Sequence, residues 1–402
     1  MNVVLSIEAI HPPLAGIGRY AWELATRLPA HADIDSVRYL SDGFWRELPR
    51  IDQPAAVTLA AENAAAPALV IIPEAPKLNY KGRMRQRLGR LQIVARLYGK
   101  LLPLIAGHQL NTVRDGIFHG PNYFVPKTRL PSLVTVHDLS IYRYPQWHPK
   151  ARIDRMRVAI PEAVERASLV LTDSLATRLE VIQEFSLQQE QVLAVPLGVD
   201  EVFHPYSAED TAPILHEFGL RPNEYSFFVS TIEPRKNLTN LLAAYRSLPV
   251  PVRERWPLVL VGGEGWQSEA IHDDIVQAQR EGWLKYLGFV DQQLLPVLYA
   301  GCRLFTYPSW YEGFGLPIAE AMASGVPVLT SNCSSMPEVA GGAAMLVDPA
   351  DVTSIRDGLR QALEDEEWRN VAIARGLQRA AELTWDACVR NTVAAYQMVK
   401  AR

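Results

Sequence analysis

The sequence predicts an α/β protein made of two doubly wound parallel-sheet domains that face a central cleft. Short runs rich in β-branched and aromatic residues alternate with helical patterns from end to end, which is typical of βαβ units. A polar, proline-punctuated stretch at 198–223 divides this alternation into two halves. The length of 402 residues allows each half to bury its own core. Because ligands of open α/β sheets bind beyond the carboxyl ends of the strands, we expect the functional site between the halves.

The strand candidates are short apolar runs that recur at the spacing of βα units, with helical patterns between most of them. We place the domain boundary after 198, which gives a first domain at 1–198 and a second at 199–380. In the first half the predicted strands are 3–7, 37–40, 69–72, 116–119, 133–136, 169–172 and 192–195. In the second half they are 225–230, 258–261, 284–287, 303–306, 327–330 and 344–347.

Composition and charge exclude several classes of protein. With 48% hydrophobic and 21% charged residues, the chain is neither collagen-like nor disordered. Its three cysteines lack CxxC spacing, so neither a disulfide framework nor a zinc site is supported, and a reducing cytoplasm is expected. The first residues lack a signal-peptide pattern, and no apolar run is long and clean enough to predict a membrane span. The net charge of −4 argues against nucleic acid as a partner.

One segment is strongly basic. Residues 77–100 hold eight lysines and arginines and no acid, and apolar residues recur among them at helical spacing, which predicts a basic amphipathic helix. Three interpretations stay open: packing on its own domain, docking on an anionic membrane surface and, least favoured, nucleic-acid binding. The apolar residues are Met84, Leu88, Leu91, Val94 and Tyr98.

Two glycines, Gly16 and Gly18, lie between the first predicted strand and the first predicted helix, in AGIGRY. Glycines at this place let backbone N–H groups approach an anion near the positive helix N-terminus. Because the motif is not the full GxGxxG fingerprint, a simple tight turn is an equal alternative.

A second motif, STIEPRKN, follows a strand and precedes a helix in the second half. Arg235 and Lys236 would meet a diphosphate there, with Asn237 as the helix cap. Exposed basic residues usually just solvate a surface. Two cations are unfavourable at the positive end of a helix, however, so a bound anion is the better explanation for this pair.

A third motif, EGFGLPIAEAMASGVPV, begins at Glu312 in a strand–loop–helix setting. Pro317 suits the first turn of the helix, and Glu320 lies one turn into it. Both carboxylates can accept hydrogen bonds from hydroxyl groups. The loop residues whose backbone N–H groups are predicted to line the cleft are Gly313, Phe314, Gly315 and Leu316.

Two histidines end neighbouring predicted strands in the first half. His137 follows the strand LVTV, where it could contact a substrate hydroxyl or assist proton movement. The alternative for His137 is a hydrogen bond to a nearby loop carbonyl. His119 is a second-ranked candidate.

Taken in order, GIGRY, HD after a central strand, EPRKN and EGFGLPIAEAMASGVPV resemble a family 4 retaining glycosyltransferase of the GT-B fold. The type that they resemble most is the bacterial mannosyltransferase that builds O-antigen and other surface polysaccharides. The resemblance covers nearly the whole chain, and its most specific part is the last motif. It implies two Rossmann-like domains around a cleft, and a C-terminal helix, at 381–402, that packs back on the first domain with Trp385 as a candidate anchor.

The resemblance also implies roles for single residues. Glu312 and the following loop amides would hold the donor sugar, and Glu320 the ribose hydroxyls. Arg235 and Lys236 would neutralise the donor diphosphate, and His137 would contact the sugar near its reacting carbon. The remaining implied donor contacts are Gly16 and Gly18 at the diphosphate, and Phe289 and Val290, in the loop after Gly288, at the base.

The expected activity is hexosyl transfer, with mannose or rhamnose moving from a GDP-sugar to a lipid-linked or polysaccharide acceptor. The resemblance implies retention of anomeric configuration, no metal and no other cofactor, because two fixed cations can stabilise the leaving diphosphate. Asp33 and Asp35 match the DxD pattern of metal-dependent transferases, but they lie away from the predicted cleft and are interpreted as a solvated loop. The expected location is cytoplasmic, with residues 77–100 as a possible contact to the inner membrane.

Several alternatives stay open. The same fold could use a UDP-sugar, because backbone contacts discriminate nucleotides poorly. A GT-B nucleotide-sugar epimerase would need no acceptor, and a non-catalytic binding subunit would show no turnover. A glycosidase with paired carboxylates is a chemical rival, but Glu312 and Glu320 are already accounted for by donor contacts.

Overall fold

The computed structural model describes residues 1–51 and 92–401. The predicted strand at 69–72 and residues 77–91 of the predicted basic helix lie outside the described residues, whereas residues 92–100 begin the helix Gln92–Asn111. Within the described ranges no helix has the length and apolar character needed to cross a membrane.

The first half of the chain forms a seven-stranded sheet in the order β3-β2-β1-β4-β5-β6-β7. All neighbours pair in parallel except β2 and β3. Parallel strands covered on both faces need continuous apolar runs, and every residue of Ser132–Val136 is buried. The strands are β1 Asn2–Ser6, β2 Ser36–Ser41, β3 Phe44–Arg46, β4 Ile117–Gly120, β5 Ser132–Val136, β6 Leu169–Thr172 and β7 Val192–Ala194.

The second half forms a six-stranded sheet in the order β10-β9-β8-β11-β12-β13, with parallel pairing throughout. Phe227, Tyr299 and Phe305 pack edge-on and tilted against one another in its core, with ring centroids 5.1–6.0 Å apart. The strands are β8 Ser226–Val229, β9 Leu258–Val261, β10 Leu284–Tyr286, β11 Leu304–Tyr307, β12 Val328–Ser331 and β13 Met345–Val347.

Helices follow most strands and cover both faces of each sheet. In the first half they are α1 Ile17–Arg27, α2 Gln92–Asn111, α3 Ser140–Arg143, α4 Lys150–Arg166 and α5 Leu175–Phe185. In the second half they are α6 Ala208–Glu217, α7 Leu238–Arg246, α8 Val250–Arg255, α9 Glu269–Arg280, α10 Leu295–Ala300, α11 Leu316–Ala323, α12 Met336–Ala340, α13 Val352–Glu364, α14 Glu366–Glu382 and α15 Trp385–Lys400.

The two-sheet α/β architecture is confirmed, and every strand predicted within the described residues is present within a few residues of its expected bounds. The strand β3 was not predicted. It is a short antiparallel edge strand joined to β2 through Asp42 and Gly43, both with positive φ. An Asp-Gly pair between two apolar runs is a hairpin signal, so this feature of the sequence could have revealed β3.

In each sheet the strand order reverses at one place, between β1 and β4 in the first and between β8 and β11 in the second. Loops that leave such a switch point diverge to opposite faces of the sheet and leave a crevice at the carboxyl edge. The chain therefore brings the loops after β1, β5, β8 and β11 to the cleft between the halves.

The helix α15 crosses back from the second half to the first. Tyr396 donates or accepts a 2.7 Å hydrogen bond with His119, and Arg27 pairs with Asp386 at 2.6 Å. At the start of α15, Trp385 is buried, and its backbone lies so close to Gly198 that no side chain would fit at position 198. The domain boundaries at 198 and 380 stay predictions.

Candidate functional site

A cavity of about 560 Å³ lies between the carboxyl edges of the two sheets. It is lined by the loops that follow β1, β5, β8 and β11 and by the first turn of α11. Motifs that are up to 300 residues apart in the sequence therefore share one space. The predicted site residues on its wall are Gly16, His137, Arg235, Lys236, Glu312, Gly313, Phe314, Gly315, Leu316 and Glu320.

Glu312 bridges the two cations of the cavity. One of its carboxylate oxygens lies 2.7 Å from the Arg235 guanidinium, and the other lies 2.7 Å from the Lys236 ammonium. Arg235 also pairs with Glu233 at 2.7 Å, and Lys236 donates to the Tyr307 hydroxyl at 2.6 Å. Two carboxylates and two cations thus form a closed, almost fully buried cluster on the second-half wall of the cavity.

The electrostatics of this cluster keep its charges fixed. Burial alone would raise the pKa of Glu312, but the Arg235 and Lys236 charges outweigh it and hold that pKa at about 2. Burial, followed by the neighbouring Arg235, lowers the pKa of Lys236. A buried pair of cations balanced by carboxylates can exchange those partners for the oxygens of an incoming diphosphate.

A tight turn holds the two cations at the end of β8. Residues Pro234–Lys236 form one turn of 3₁₀ helix, and Asn237 ends it in the left-handed conformation, with φ of 60°. Asn237 occupies the N-cap position of α7 as predicted, but its side chain does not cap the helix, because its amide donates instead to the carbonyl oxygens of Pro308 and Pro349, both at 2.9 Å. Asn237 therefore ties this turn to the loop that carries Glu312.

The loop after β11 requires glycine at Gly313, where the two halves touch. A Cβ atom there would lie 1.8 Å from the carbonyl oxygen of His137. The carbonyl oxygen of Gly313 accepts hydrogen bonds from Ser174 at 2.7 Å and Thr177 at 3.1 Å, both in the first half. Gly315 opens α11 with φ of +108°, which favours glycine.

Glu320 lies on the cavity wall one turn into α11. Burial raises its pKa to about 7, although the Tyr299 hydroxyl donates to it at 2.9 Å. Arg19, which also lines the cavity, pairs with Asp200 at 2.5 Å, and its positive charge lowers the pKa of Glu320 in part. Glu320 is therefore a carboxyl group whose ionisation is balanced near neutral pH.

His137 reaches the cavity wall, but both of its ring nitrogens face protein acceptors. Nδ1 lies 2.7 Å from the Asp173 carboxylate and Nε2 lies 2.7 Å from the carbonyl oxygen of Pro121. Although burial opposes the charge, Asp173 raises the pKa of His137. In this structure His137 therefore makes the hydrogen bond to a loop carbonyl that was its alternative interpretation. A contact between the ring and a sugar would have to replace the hydrogen bond to the carbonyl oxygen of Pro121.

Three predicted donor contacts do not line this cavity. Gly18 lies inside α1, where a Cβ would meet the carbonyl oxygen of Ala9 at 2.8 Å, so close packing explains it. The Phe289 side chain is 60% exposed, and Val290 is buried in the core of the second half.

The second-ranked His119 also lies outside the cavity wall. It is fully buried between the Tyr396 and Thr135 hydroxyls, at 2.7 and 2.9 Å. Burial, with a smaller contribution from His137, lowers the pKa of His119 to about 3, so the ring is neutral.

The DxD-like residues lie at the amino terminus. Asp35 pairs with the N-terminal ammonium at 2.8 Å, and Asp33 accepts from Gln397 at 3.1 Å. Among residues 1–51 and 92–401 no group of three or more His, Cys, Asp or Glu side chains has a geometry that could hold a metal ion.

Several cavity residues were not singled out from the sequence. Three of them lie within the quoted motifs GIGRY, HD and EPRKN but were given no role of their own, and the other four lie outside those motifs. These residues are Arg19, Asp138, Arg152, Asp200, Glu233, Trp266 and Tyr299.

Comparison with known proteins agrees with this geometry. Residues 217–379 match the family model of glycosyl transferases group 1. The chain is 36% identical over 399 residues to O-antigen chain mannosyltransferase B of Escherichia coli, covering 99% of this chain and all of the relative.

Two solved structures share the architecture over almost the whole chain. Anabaena HepE, determined in complex with UDP-glucose, superposes with a TM-score of 0.70 at 17% identity, covering 99% of this chain and 100% of its own. Sucrose-phosphate synthase from Thermosynechococcus elongatus gives a TM-score of 0.69 at 20% identity, covering 100% and 99%. These likenesses confirm the predicted GT-B fold.

Proposed function

Because this chain belongs to the group 1 glycosyl transferases, we propose that it transfers mannose from GDP-mannose to a lipid-linked glycan in bacterial surface-polysaccharide synthesis. The observation that carries this proposal is the similarity over the full length to an O-antigen chain mannosyltransferase. Rhamnose is the second candidate sugar, because it is the 6-deoxy form of mannose and so lacks only one hydroxyl group.

The cavity wall supplies a group for each part of such a donor. Arg235 and Lys236 bind the diphosphate, as fixed cations on a rigid turn. Glu320 accepts from the ribose hydroxyls. Glu312, freed in part from the cations by the diphosphate, accepts from hydroxyls of the hexose, and the amides of Gly313–Leu316 donate to them.

The chemistry then consists of stabilising charge that develops on the leaving group. The bond between the anomeric carbon and the diphosphate oxygen breaks, and its electron pair stays on that oxygen, beside Arg235 and Lys236. An acceptor hydroxyl attacks from the face that the diphosphate leaves, so the configuration is retained, and its proton passes to the departing phosphate. The two cations stabilise this charge without a metal, and we propose on this basis that the protein is a metal-independent enzyme of family 4.

We also propose a location at the inner face of the membrane. Residues 77–100, with eight basic side chains and no acid, would attract anionic lipid by roughly 1 kcal/mol per charge. Replacing four of the arginines with glutamine should weaken binding to anionic liposomes, and unchanged binding would remove this part of the proposal.

Thermal shift with GDP, UDP, ADP and dTDP tests the donor class first. A nucleotide at about 100 times its dissociation constant stabilises the fold by about 2.7 kcal/mol. We expect a selective shift with GDP, followed by transfer from GDP-mannose in the presence of EDTA and an axial anomeric product by NMR. A selective shift with UDP would overturn the GDP donor, and transfer without a lipid carrier would overturn the lipid-linked acceptor.

A further inference from the structure

Aromatic side chains from both halves meet beside the cavity, and the donor assignment uses none of them. Tyr144 and Trp147 stack at 4.3 Å between centroids, and the Trp147 ring lies 6.2 Å from Trp310. His148 lies 6.1 Å from Trp266, whose indole N–H donates to the carbonyl oxygen of Trp147. We call these five residues the aromatic cluster. It joins the segment before α4 to loops of the second half.

The cluster is continuous with the diphosphate site. Trp266 lines the cavity, and its loop is fastened to the end of β8 by the hydrogen bond from Gly265 N to the carbonyl oxygen of Ile232, at 3.1 Å. The backbone N–H of Trp310 donates to the carbonyl oxygen of Arg235 at 3.0 Å. A molecule that rests on the cluster therefore lies next to the leaving group.

Cluster members keep part of their surface open and have polar neighbours. Trp147, Trp266 and Trp310 are half-buried. The Arg152 guanidinium lies 5.6 Å from the Trp266 ring, and both line the cavity, as does Asp138. Half-open indole faces beside groups that donate and accept hydrogen bonds are complementary to a sugar, which has C–H faces and hydroxyl edges.

His148 adds a polar group whose ring nitrogens make no hydrogen bond to the described residues. The residue is 5% exposed. An unpartnered buried imidazole costs free energy unless a ligand supplies the missing bond. The charges around it are balanced, Arg152 and Arg235 against Asp138 and Glu233, so a neutral ligand is favoured over an anionic one.

We propose that the aromatic cluster, with Arg152 and Asp138, is the subsite for the acceptor saccharide. Trp266, which lines the cavity, stacks on a sugar ring, while Arg152, Asp138 and His148 bind hydroxyls. This inference rests on the proposed function, since a glycosyl transfer needs a second sugar within reach of the donor. The occupant is the non-reducing end of a neutral glycan.

The test measures saccharide binding apart from transfer. Full-length protein saturated with GDP is titrated with an α-linked mannotriose, by calorimetry and by saturation-transfer NMR, for wild type, Trp266→Ala and Trp266→Phe. We expect Trp266→Ala to weaken binding at least about tenfold, the equivalent of about 1.4 kcal/mol of lost stacking, and Trp266→Phe to restore most of it. The GDP dissociation constant should differ by no more than about twofold among the three proteins. In transfer kinetics, Trp266→Ala should raise the KM for the acceptor and leave the KM for the donor unchanged.

Trp45→Ala is the matched control. Trp45 is also a half-buried indole under an arginine, with the Arg38 guanidinium 3.6 Å from its ring centroid, but it lies on the β2–β3 hairpin. The Trp45→Ala variant should bind the trisaccharide with the same affinity as the wild type. Equal affinity of Trp266→Ala and wild type, or no binding by wild type, overturns the subsite. If Trp266→Ala loses trisaccharide binding as expected but the wild type transfers no sugar from any GDP-sugar, the subsite is supported and only the proposed function is overturned.

Discussion

Single residues carry the leaving-group chemistry, and Lys236 is the clearest to test. Its ammonium is buried against Glu312 and Tyr307. We expect Lys236→Met to lower kcat by about 10²–10³, because one preorganised charge at the developing phosphate is lost. Steady-state transfer kinetics measure this. Lys150→Met changes a side chain that is 86% exposed, and as the control it should leave kcat unchanged. A loss of kcat of less than tenfold in Lys236→Met would contradict the role of Lys236 at the leaving group.

The pH dependence of nucleotide binding should report Glu320. Its pKa is raised to about 7 in the free protein, and ribose hydroxyls need the ionised carboxylate as acceptor. Binding therefore favours the ionised form, and affinity is lost as the pH falls through 7. We expect the GDP dissociation constant to be about tenfold larger at pH 6 than at pH 8.

Calorimetry of Glu320→Gln provides the comparison for this pH effect. The diphosphate titrates equally in both proteins, so the difference between them isolates the carboxyl group. The variant should bind more weakly at pH 8 and lack the additional loss between pH 8 and 6. The same pH slope in both proteins would show that another group titrates.

For single residues, the sequence predicted the chemical type of the site better than it predicted where each side chain points. The residue types and strand–loop–helix setting were enough to bring Arg235, Lys236 and Glu312 together, since strand ends of parallel sheets share one edge. The sequence left two interpretations of His137 open and could not decide between them, because the partners of its ring, Asp173 and Pro121, come from neighbouring strands and loops. Arg152, in the first turn of α4, and Trp266, in a loop of the second half, were not singled out because neither lies in a motif.

Among the elements, the loop between β11 and α11 fixes how closely the halves approach. Gly313→Ala would push a methyl group to 1.8 Å from the carbonyl oxygen of His137, so the loop or the opposing strand end must shift. A displacement of about 1 Å at the reacting groups lowers kcat about 100-fold. Steady-state kinetics should show this loss with little change in the far-UV circular dichroism.

Gly263→Ala is the matched control for that prediction. A Cβ at Gly263 meets no atom within 4 Å, and the residue lies in a loop of the second half outside the cavity wall. It should keep wild-type kcat. Equal activity of both variants would mean that the contact between Gly313 and His137 has no bearing on the reaction.

Elements were predictable from sequence where burial is strong on both faces. Runs such as Leu258–Val261 are buried throughout, and four apolar residues between turns are typical of a central parallel strand. Phe44–Arg46 has exposed ends and a single half-buried residue, so its pattern alone carries little information, and only the preceding Asp-Gly turn marks it.

The whole molecule depends on contacts that hold the two halves around the cavity. Glu338, at the start of α12, accepts from the backbone N–H groups of Leu175 and Ala176, at 2.8 and 3.1 Å. A carboxylate of one half thereby caps the first turn of α5 in the other. Tyr311 adds a second link, since its hydroxyl bonds to Glu180 and accepts from Leu139 N at 3.0 Å. No sequence pattern predicts such pairs, because they join residues more than 130 positions apart.

Glu338→Ala should therefore open the cleft while leaving each half folded. Loss of a helix cap is worth about 1 kcal/mol, which reduces the closed form about fivefold relative to the open form. If the closed and open forms are equally populated in the wild type, the closed fraction falls from about one half to about one sixth, and the apparent dissociation constant of a donor that binds the closed form rises about threefold. Glu367→Ala, at an exposed glutamate in the first turn of α14, changes the same charge without touching the first half. Small-angle scattering should show a larger radius of gyration for Glu338→Ala alone, and calorimetry should show its weaker binding of GDP-mannose. Equal scattering and equal affinity in the two variants would mean that the remaining contacts, including those of Tyr311 and Gly313, are enough to hold the halves together.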